Sequence, residues 1–422
     1  MYIKTDRPPM GWNGWDVYLG SPSEEEMKAQ MRYMAARLLP YGYQYFTTDN
    51  FWYRQEYDDN YVNYSDEYGR PIPSPIKYPS SVNGKGFKEI ADYAHSLGLK
   101  FGLHLMRGMN EWMLGRGAHI KGTSTPLEDV INYDSPCEWH SRGWYGVKLD
   151  MPEAQAWYDS LFEMFASWGL DFIKYDDLGS PVRERETEMI LAAMDKCGRD
   201  MVFSLSPGNW TKLESGEFYS SHATMWRISG DFWDSWGSSL RESFDLLAQW
   251  NSRIDFPGWP DPDMIPIGWI TEYPCDRGLY PRICRFTADE MRAMFTLFSI
   301  SKSPLILTCN LVRNDNDLLF IQTQPDCIKL NQYGKSPRVV SSTENSYIWH
   351  SSVDDNEYIA VFNLDETDKD FDVPINDGSK VCAAQEVWST RVYKPDGNML
   401  HVPVAMHGVA LLRLVSTEKA SK

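Results

Sequence analysis

The feature that most constrains this chain is an alternation. Up to about residue 320, short apolar or β-branched runs alternate with stretches of helical periodicity, and eight strand-like runs can be counted. They lie at residues 10–15, 45–50, 100–106, 170–177, 201–206, 225–231, 260–266 and 304–309. Between them the first helix is clearly marked: Ser23 and Glu26 make a capping box, and Met27, Met31, Met34 and Leu38 form one apolar stripe. Further helical patterns cover 86–98, 152–168, 183–196, 239–250 and 287–301. This pattern predicts a (β/α)8 barrel, which needs about 250 residues plus insertions. Two polar stretches, 54–84 and 108–150, read as the insertions. An open doubly wound sheet is the competing fold, but it would want a Gly-rich phosphate turn, and neither GxGxxG nor GxxxxGK[ST] occurs.

From about Asn331 the pattern changes. Arg338-Val-Val, Tyr347-Ile-Trp-His, Tyr358–Leu364, Val381-Cys-Ala-Ala, Glu386-Val-Trp and Gly408–Leu414 are strand-like, with polar turns and no helical stripe between them. The expectation is a catalytic barrel over residues 1–325 and an antiparallel β-sandwich over 326–422.

Composition narrows the function. Lys and Arg number 41 against 59 Asp and Glu, so the net charge of −18 argues against nucleic acid and against anionic membrane surfaces. Seven Cys, an odd number with no CxxC, argue against a disulfide framework or structural zinc. A loop pair Cys275–Cys284 is conceivable, and Asp58-Asp59-Asn60 is a weak calcium candidate. The N-terminus has no apolar signal core, and no run of 18 apolar residues occurs. A cytoplasmic protein is expected if Met1 is the native start, and a secreted or periplasmic one if a signal has been removed. Homo-oligomerisation is compatible with all of this. Aromatic residues reach 14%, a content suited to sugar rings but mostly needed for a large core.

A barrel of this kind carries its site at the C-terminal ends of the strands. Those ends present Asp49 and Asn50, His104 and Arg107, Lys174, Asp176 and Asp177, Ser204 and Ser206, Arg227 and Asp231, then Asp261 and Asp263. Strand alternation puts Lys174 and Asp176 on one face with Tyr175 on the other, and a neighbouring ammonium favours an ionised carboxylate. Paired carboxylates are the usual apparatus of glycoside hydrolysis. A lone strand-end Asp more often caps the following helix, and that is the expectation for Asp177. His104 taken alone reads as a hydrogen-bonded barrel histidine, and Arg227 is expected to pair with Asp263. HExxH and GxSxG are absent.

Six motifs in order resemble glycoside hydrolase family 27, the α-galactosidases and α-N-acetylgalactosaminidases. They are Pro9-Met-Gly-Trp-Asn-Gly-Trp15, Tyr45-Phe-Thr-Thr-Asp-Asn50, Lys100-Phe-Gly-Leu-His104, Phe172-Ile-Lys-Tyr-Asp176, Trp226-Arg-Ile-Ser-Gly-Asp231 and Gly258-Trp-Pro-Asp-Pro-Asp-Met264. The resemblance implies a retaining exo-α-glycosidase without cofactor or metal, acting on α-galactoside oligosaccharides or glycoconjugates. Asp176 resembles the nucleophile and Asp231 the general acid/base. Trp15 looks like the ring that floors the sugar, and Asp49 like the acid that binds hydroxyls on the C4/C6 side. Lys174, Arg227 and Asp263 look like the surrounding polar shell.

The chain also departs from the family pattern. Asn50 stands where a second Asp is usual, and His104 where a Tyr is usual. The family's Cys pair flanking the nucleophile strand has no counterpart. Ser206, in Ser204-Leu-Ser-Pro-Gly208, replaces a loop whose Glu reads the 2-hydroxyl, which resembles the N-acetylgalactosaminidase version. Asn50, His104 and Ser206 are expected to contact substrate. α-N-acetylgalactosaminidase, β-L-arabinopyranosidase and isomaltodextranase-like activities use the same two acids, and a non-catalytic sugar-binding barrel is the alternative from another class.

Overall fold

A computed structural model describes residues 2–416 apart from 21, 56–61, 116, 141–142, 210, 253–256, 274–279 and 376–380. Cys275 and the Asp58-Asp59-Asn60 run therefore lie outside the described residues. Eight parallel strands form the barrel: β1 (Met10–Asn13), β2 (Tyr45–Thr48), β3 (Lys100–Met106), β4 (Phe172–Asp176), β5 (Val202–Leu205), β6 (Met225–Arg227), β7 (Trp259–Asp261) and β8 (Leu305–Leu307). They lie side by side in chain order, with β8 paired to β1. A parallel bridge between Ile265, just after β7, and Leu307 closes the last seam.

The helices follow the apolar spacing. In α1 (Glu24–Arg37), Ser23 and Glu26 satisfy each other's backbone N–H groups, at 3.4 and 2.8 Å, and Met27, Met31, Met34 and the flanking Leu38 are wholly buried. Next come α2 (Lys88–Ser96), α3 (Pro152–Trp168), α4 (Glu184–Cys197), α5 (Gly216–His222), α6 (Arg241–Asn251) and α7 (Ala288–Ile300). Helix α5 lies outside the expected pattern. It carries few apolar residues, and burying Tyr219 against Trp226 is what anchors it.

The two insertions are more structured than a loop. Residues 54–84 hold a hairpin, Arg54–Gln55 with Val62–Asn63, and buried Arg70, Lys77 and Tyr78. Residues 108–150 hold a three-stranded antiparallel sheet of Met109–Asn110, Trp144–Val147 and Ile131–Pro136.

Helices α8 (Asn316–Gln322) and α9 (Pro325–Tyr333) lead into the C-terminal strands. These are β9 (Lys335–Thr343), β10 (Ser346–Val353), β11 (Asn356–Asn363), β12 (Lys369–Pro374), β13 (Val381–Glu386), β14 (Val392–Tyr393), β15 (Met399–Val404) and β16 (Val409–Ser416). Six form an antiparallel sheet in the order β9-β10-β11-β16-β13-β14, and β12 pairs with β15. The two runs expected at 381–384 and 386–388 are one strand that ends at Glu386. Alternation along β11 and β16 explains the layering. Ile359, Val361, Ala410 and Leu412 face the β12–β15 ribbon and its core. Ala360, Phe362 and Leu411 face the other way, into the same apolar cluster as the barrel.

Candidate active site

The strand ends place a continuous polar ring over the barrel mouth. Asn13, at the end of β1, donates to Asp49 Oδ2 at 2.7 Å and accepts the Trp15 N–H at 2.9 Å, so one side chain holds two expected site residues. Lys174 Nζ lies 3.1 Å from the same Asp49 oxygen. Asn50 donates its backbone N–H to Asp49 Oδ1 at 2.8 Å. Its own carboxamide oxygen accepts from the Phe51 N–H and the Tyr53 hydroxyl, at 2.8 and 3.0 Å, so Asn50 is anchored within its loop. Trp15 is half-buried, with its ring 6.1 Å from that of Phe51.

Asp176 ends β4. His104 Nε2, on the neighbouring strand, stands 2.9 Å from its Oδ2. Burial alone would raise the Asp176 carboxyl, but the His104 ring and the Lys174 ammonium outweigh it, with help from the Ser206 hydroxyl, and hold it well below the usual carboxylate range. Lys174 is buried too, which would lower it, but Asp49 and Asp176 keep it charged. The polar partner of this barrel histidine is thus the acid itself.

Arg227 organises the other side. Its Nη1 is 2.9 Å from Asp263 Oδ1 and 3.5 Å from Ser206 Oγ, and its Nη2 is 3.4 Å from Asp231 Oδ1. Asp263 Oδ2 accepts the Phe232 N–H at 2.8 Å, which ties the loop carrying Asp231 to the seventh strand. Asp231 differs from every other acid in the ring: its side chain is 65% exposed, against 15% for Asp176. It can exchange protons with solvent, whereas Asp176 is shielded.

Three features go beyond the sequence reading. Asp16 is fully buried, and burial pushes its carboxyl well up, aided by the charges of Asp263 and Asp231, which favours its neutral form. Its only signal in the sequence is an acid directly after Trp15. Asp261 accepts the Asp263 N–H at 2.9 Å, and burial pushes it up to about 6. Asp177 caps no helix. It ion-pairs with Arg107 at 2.7 Å, and the following helix starts after Arg183 instead.

Asp261 gives a stability prediction. Its folded pKa lies above that of a free Asp, so the favourable neutral form persists below about pH 4 and is lost as pH rises through about 6. Asp261→Asn keeps the acceptor and removes the charge. Thermal unfolding should show the variant more stable at pH 8, by about 3 kcal/mol at most, with the gain vanishing near pH 4. A gain that is the same at both pH values would contradict the buried-charge account.

Among the described residues, no group of three or more His, Cys, Asp or Glu is arranged to hold a metal ion, and no helix is long and apolar enough to cross a membrane.

A barrel whose strand ends gather acids around one Lys and one Arg, joined to a β-sandwich, defines a glycoside hydrolase, and the likenesses to known proteins agree. A family model described as alpha galactosidase A (Melibiase_2) matches residues 145–333. The chain is 36% identical to a GH27 β-L-arabinopyranosidase from Geobacillus stearothermophilus, with a TM-score of 0.92, covering 98% of this chain and 97% of that one. It is 27% identical over 362 residues to an alpha-galactosidase of Cyamopsis tetragonoloba, covering 84% of this chain and 72% of that protein. It is 28% identical over 348 residues to an alpha-N-acetylgalactosaminidase of Mus musculus, covering 77% and 68%. The chain belongs to glycoside hydrolase family 27.

Proposed function

We propose that this enzyme is a retaining exo-glycosidase acting on galacto-configured pyranosides, with β-L-arabinopyranosides as its preferred substrates and α-D-galactosides second. The observation that carries the mechanism is the contrast between two acids. Asp176 is shielded and kept ionised by His104 and Lys174, as a nucleophile must be. Asp231 is open to solvent beside Arg227, as a group that gives and takes a proton must be. Asp176 attacks the anomeric carbon while Asp231 protonates the departing oxygen. A covalent glycosyl-enzyme forms, and water that loses its proton to Asp231 hydrolyses it with net retention. Trp15 floors the sugar, and Asp49, Asn50, Lys174, Arg227 and Asp263 supply the polar contacts, with His104 and Ser206 completing the ring around the nucleophile.

The glycone preference rests on identity, which is higher to the β-L-arabinopyranosidase (36%) than to the α-galactosidase (27%). L-arabinopyranose is galactose without its C6 group, so both sugars present the same ring hydroxyls. Ser206 is buried between Arg227 and Asp176, so it serves the polar ring around the nucleophile on either the galactose or the N-acetylgalactosamine reading.

Four p-nitrophenyl glycosides separate these readings: β-L-arabinopyranoside, α-D-galactoside, α-N-acetylgalactosaminide and α-D-glucoside. The arabinopyranoside should have the highest kcat/KM, about 10- to 100-fold above the galactoside, the scale on which a pocket discriminates one small group. Proton NMR should show the first-formed sugar with the anomeric configuration of the substrate. An inverted product would end the retaining reading. Sugar binding without turnover of any of the four would favour a binding barrel.

A further inference from the structure

Arg107 directly follows β3 and has no exposed side-chain surface. Nothing in the proposed reaction uses it, yet each of its nitrogens is engaged. Nε donates to Asp177 Oδ2 at 2.7 Å, and Nη2 stands 2.7 Å from the same oxygen. Nη1 donates to Glu186 Oε2 at 2.9 Å and to Ser135 Oγ at 3.1 Å, while Nη2 donates to the Ser135 carbonyl at 3.1 Å. The second oxygen of Glu186 accepts the Tyr158 hydroxyl at 2.5 Å and the Val147 N–H at 3.3 Å. The guanidinium sits directly against Gly146, where a Cβ would come within 2.0 Å of Nη1. Four separate segments therefore meet one buried cation, and a fifth, through Tyr158, braces Glu186.

The backbone links this cluster to the site. The Arg107 N–H donates to the Asp176 carbonyl at 3.0 Å. Asp177, the next residue, has φ +63°, a left-handed conformation that is uncommon outside glycine but that Asp tolerates better than most side chains. Its carboxylate is what Arg107 grips. Asp176 is thus held from both sides of its own peptide unit, by the Arg107 main chain and through Asp177 by the Arg107 side chain. Burying three charges is a poor source of stability in itself, because desolvation opposes the attraction. A fixed geometry is the better account of what the cluster supplies.

We propose that Arg107, clamped between Asp177 and Glu186, is a positioning residue that aims the Asp176 carboxylate at the anomeric carbon. The proposal rests on the reading of Asp176 as nucleophile. The position of a nucleophile matters steeply, since a misplacement of about 1 Å can cost about 100-fold in rate. A positioning role lowers kcat and spares binding, whereas a purely structural role lowers stability and spares kcat in the folded fraction.

The test uses the full chain with Asp177→Asn, Glu186→Gln and Arg107→Lys, assayed well below each variant's unfolding midpoint. The substrate is the p-nitrophenyl glycoside that wild type turns over best, and calorimetry reads binding of the matching free monosaccharide. Asp177→Asn and Arg107→Lys should lose about 10- to 100-fold in kcat, with KM and monosaccharide affinity within about 2-fold of wild type. Glu186→Gln, one step further from the backbone, should show the same pattern more weakly, and it carries the test if Asp177→Asn does not fold. Values of kcat within about 2-fold of wild type, whatever the loss of melting temperature, would overturn the proposal, as would a matching loss of monosaccharide binding. Asp176→Asn is assayed in parallel. If that variant is inactive while Asp177→Asn is unimpaired, only the positioning role fails. If Asp176→Asn retains turnover, the nucleophile reading fails and the positioning role with it.

Discussion

Asp176→Asn should lose roughly 1,000-fold or more of kcat on every substrate, because without a nucleophile the covalent route is closed. The introduced carboxamide is isosteric with the carboxylate. It keeps an oxygen near His104 and places a neutral group near Lys174, so the fold should persist. Asp176→Gly adds a positive readout. Azide should enter the space left by the carboxylate, attack the anomeric carbon of an activated glycoside, and give a glycosyl azide of inverted configuration. Near-wild-type turnover in Asp176→Asn, or an azide adduct of retained configuration, would contradict the assignment. The pH profile supplies a further check. Asp176 is depressed below the usual range by His104 and Lys174, so it stays ionised down to strongly acidic pH. Loss of kcat/KM on the acid side must therefore come from other groups. Burial pushes Asp263 up to about 7, partly opposed by Arg227, and this acid ties both Arg227 and the Asp231 loop. Its protonation should set an acid limb well above pH 4.

The second large effect is expected at Asp231, and it depends on the leaving group. Asp231→Ala should slow cleavage of an unactivated glycoside by about 100- to 10,000-fold, the usual worth of general acid–base catalysis. With p-nitrophenolate, which departs without a proton, formation of the glycosyl-enzyme is spared and its hydrolysis becomes limiting. Stopped-flow assays should then show a burst of nitrophenol equal to the enzyme concentration, followed by slow turnover. Equal losses on activated and unactivated substrates, with no burst, would remove Asp231 from the acid/base role. Asp231 is two-thirds exposed, so its removal is not expected to disturb packing.

Much of the fold could be read from the residues because it depends on local periodicity. The Met stripe of α1 and its capping box needed no tertiary information, and the eight strand runs announced themselves through β-branched and aromatic residues. Strands β12 and β15 escaped notice because Asp370, Asp372, His401 and Pro403 interrupt their apolar residues, and they pair with each other across a long connection. The candidate site was legible where acids stood at strand ends. It was illegible where a role depends on a partner distant in sequence. Asp177 looked like a helix cap because its true partner, Arg107, lies 70 residues away. Asn13 drew no role from its place in the first strand run because its link to Asp49 is made only across the barrel mouth. The neutral state expected of Asp16 comes from burial among other acids, which no single stretch of chain expresses.

The apolar cluster that runs from the barrel into the C-terminal sheet has a consequence for how this enzyme can evolve. Phe362, Leu411 and Trp349 pack into the same core as Phe298 and Leu330, so the seam between the two parts is an interior rather than a boundary. His407 of the C-terminal part stacks on Trp236, five residues past Asp231, at 3.8 Å. A barrel recombined onto a foreign tail would inherit an uncovered face together with a loosened acid-bearing loop. Exchange of the C-terminal part alone should therefore cost stability, whereas change within the barrel's own insertions leaves this shared interior intact.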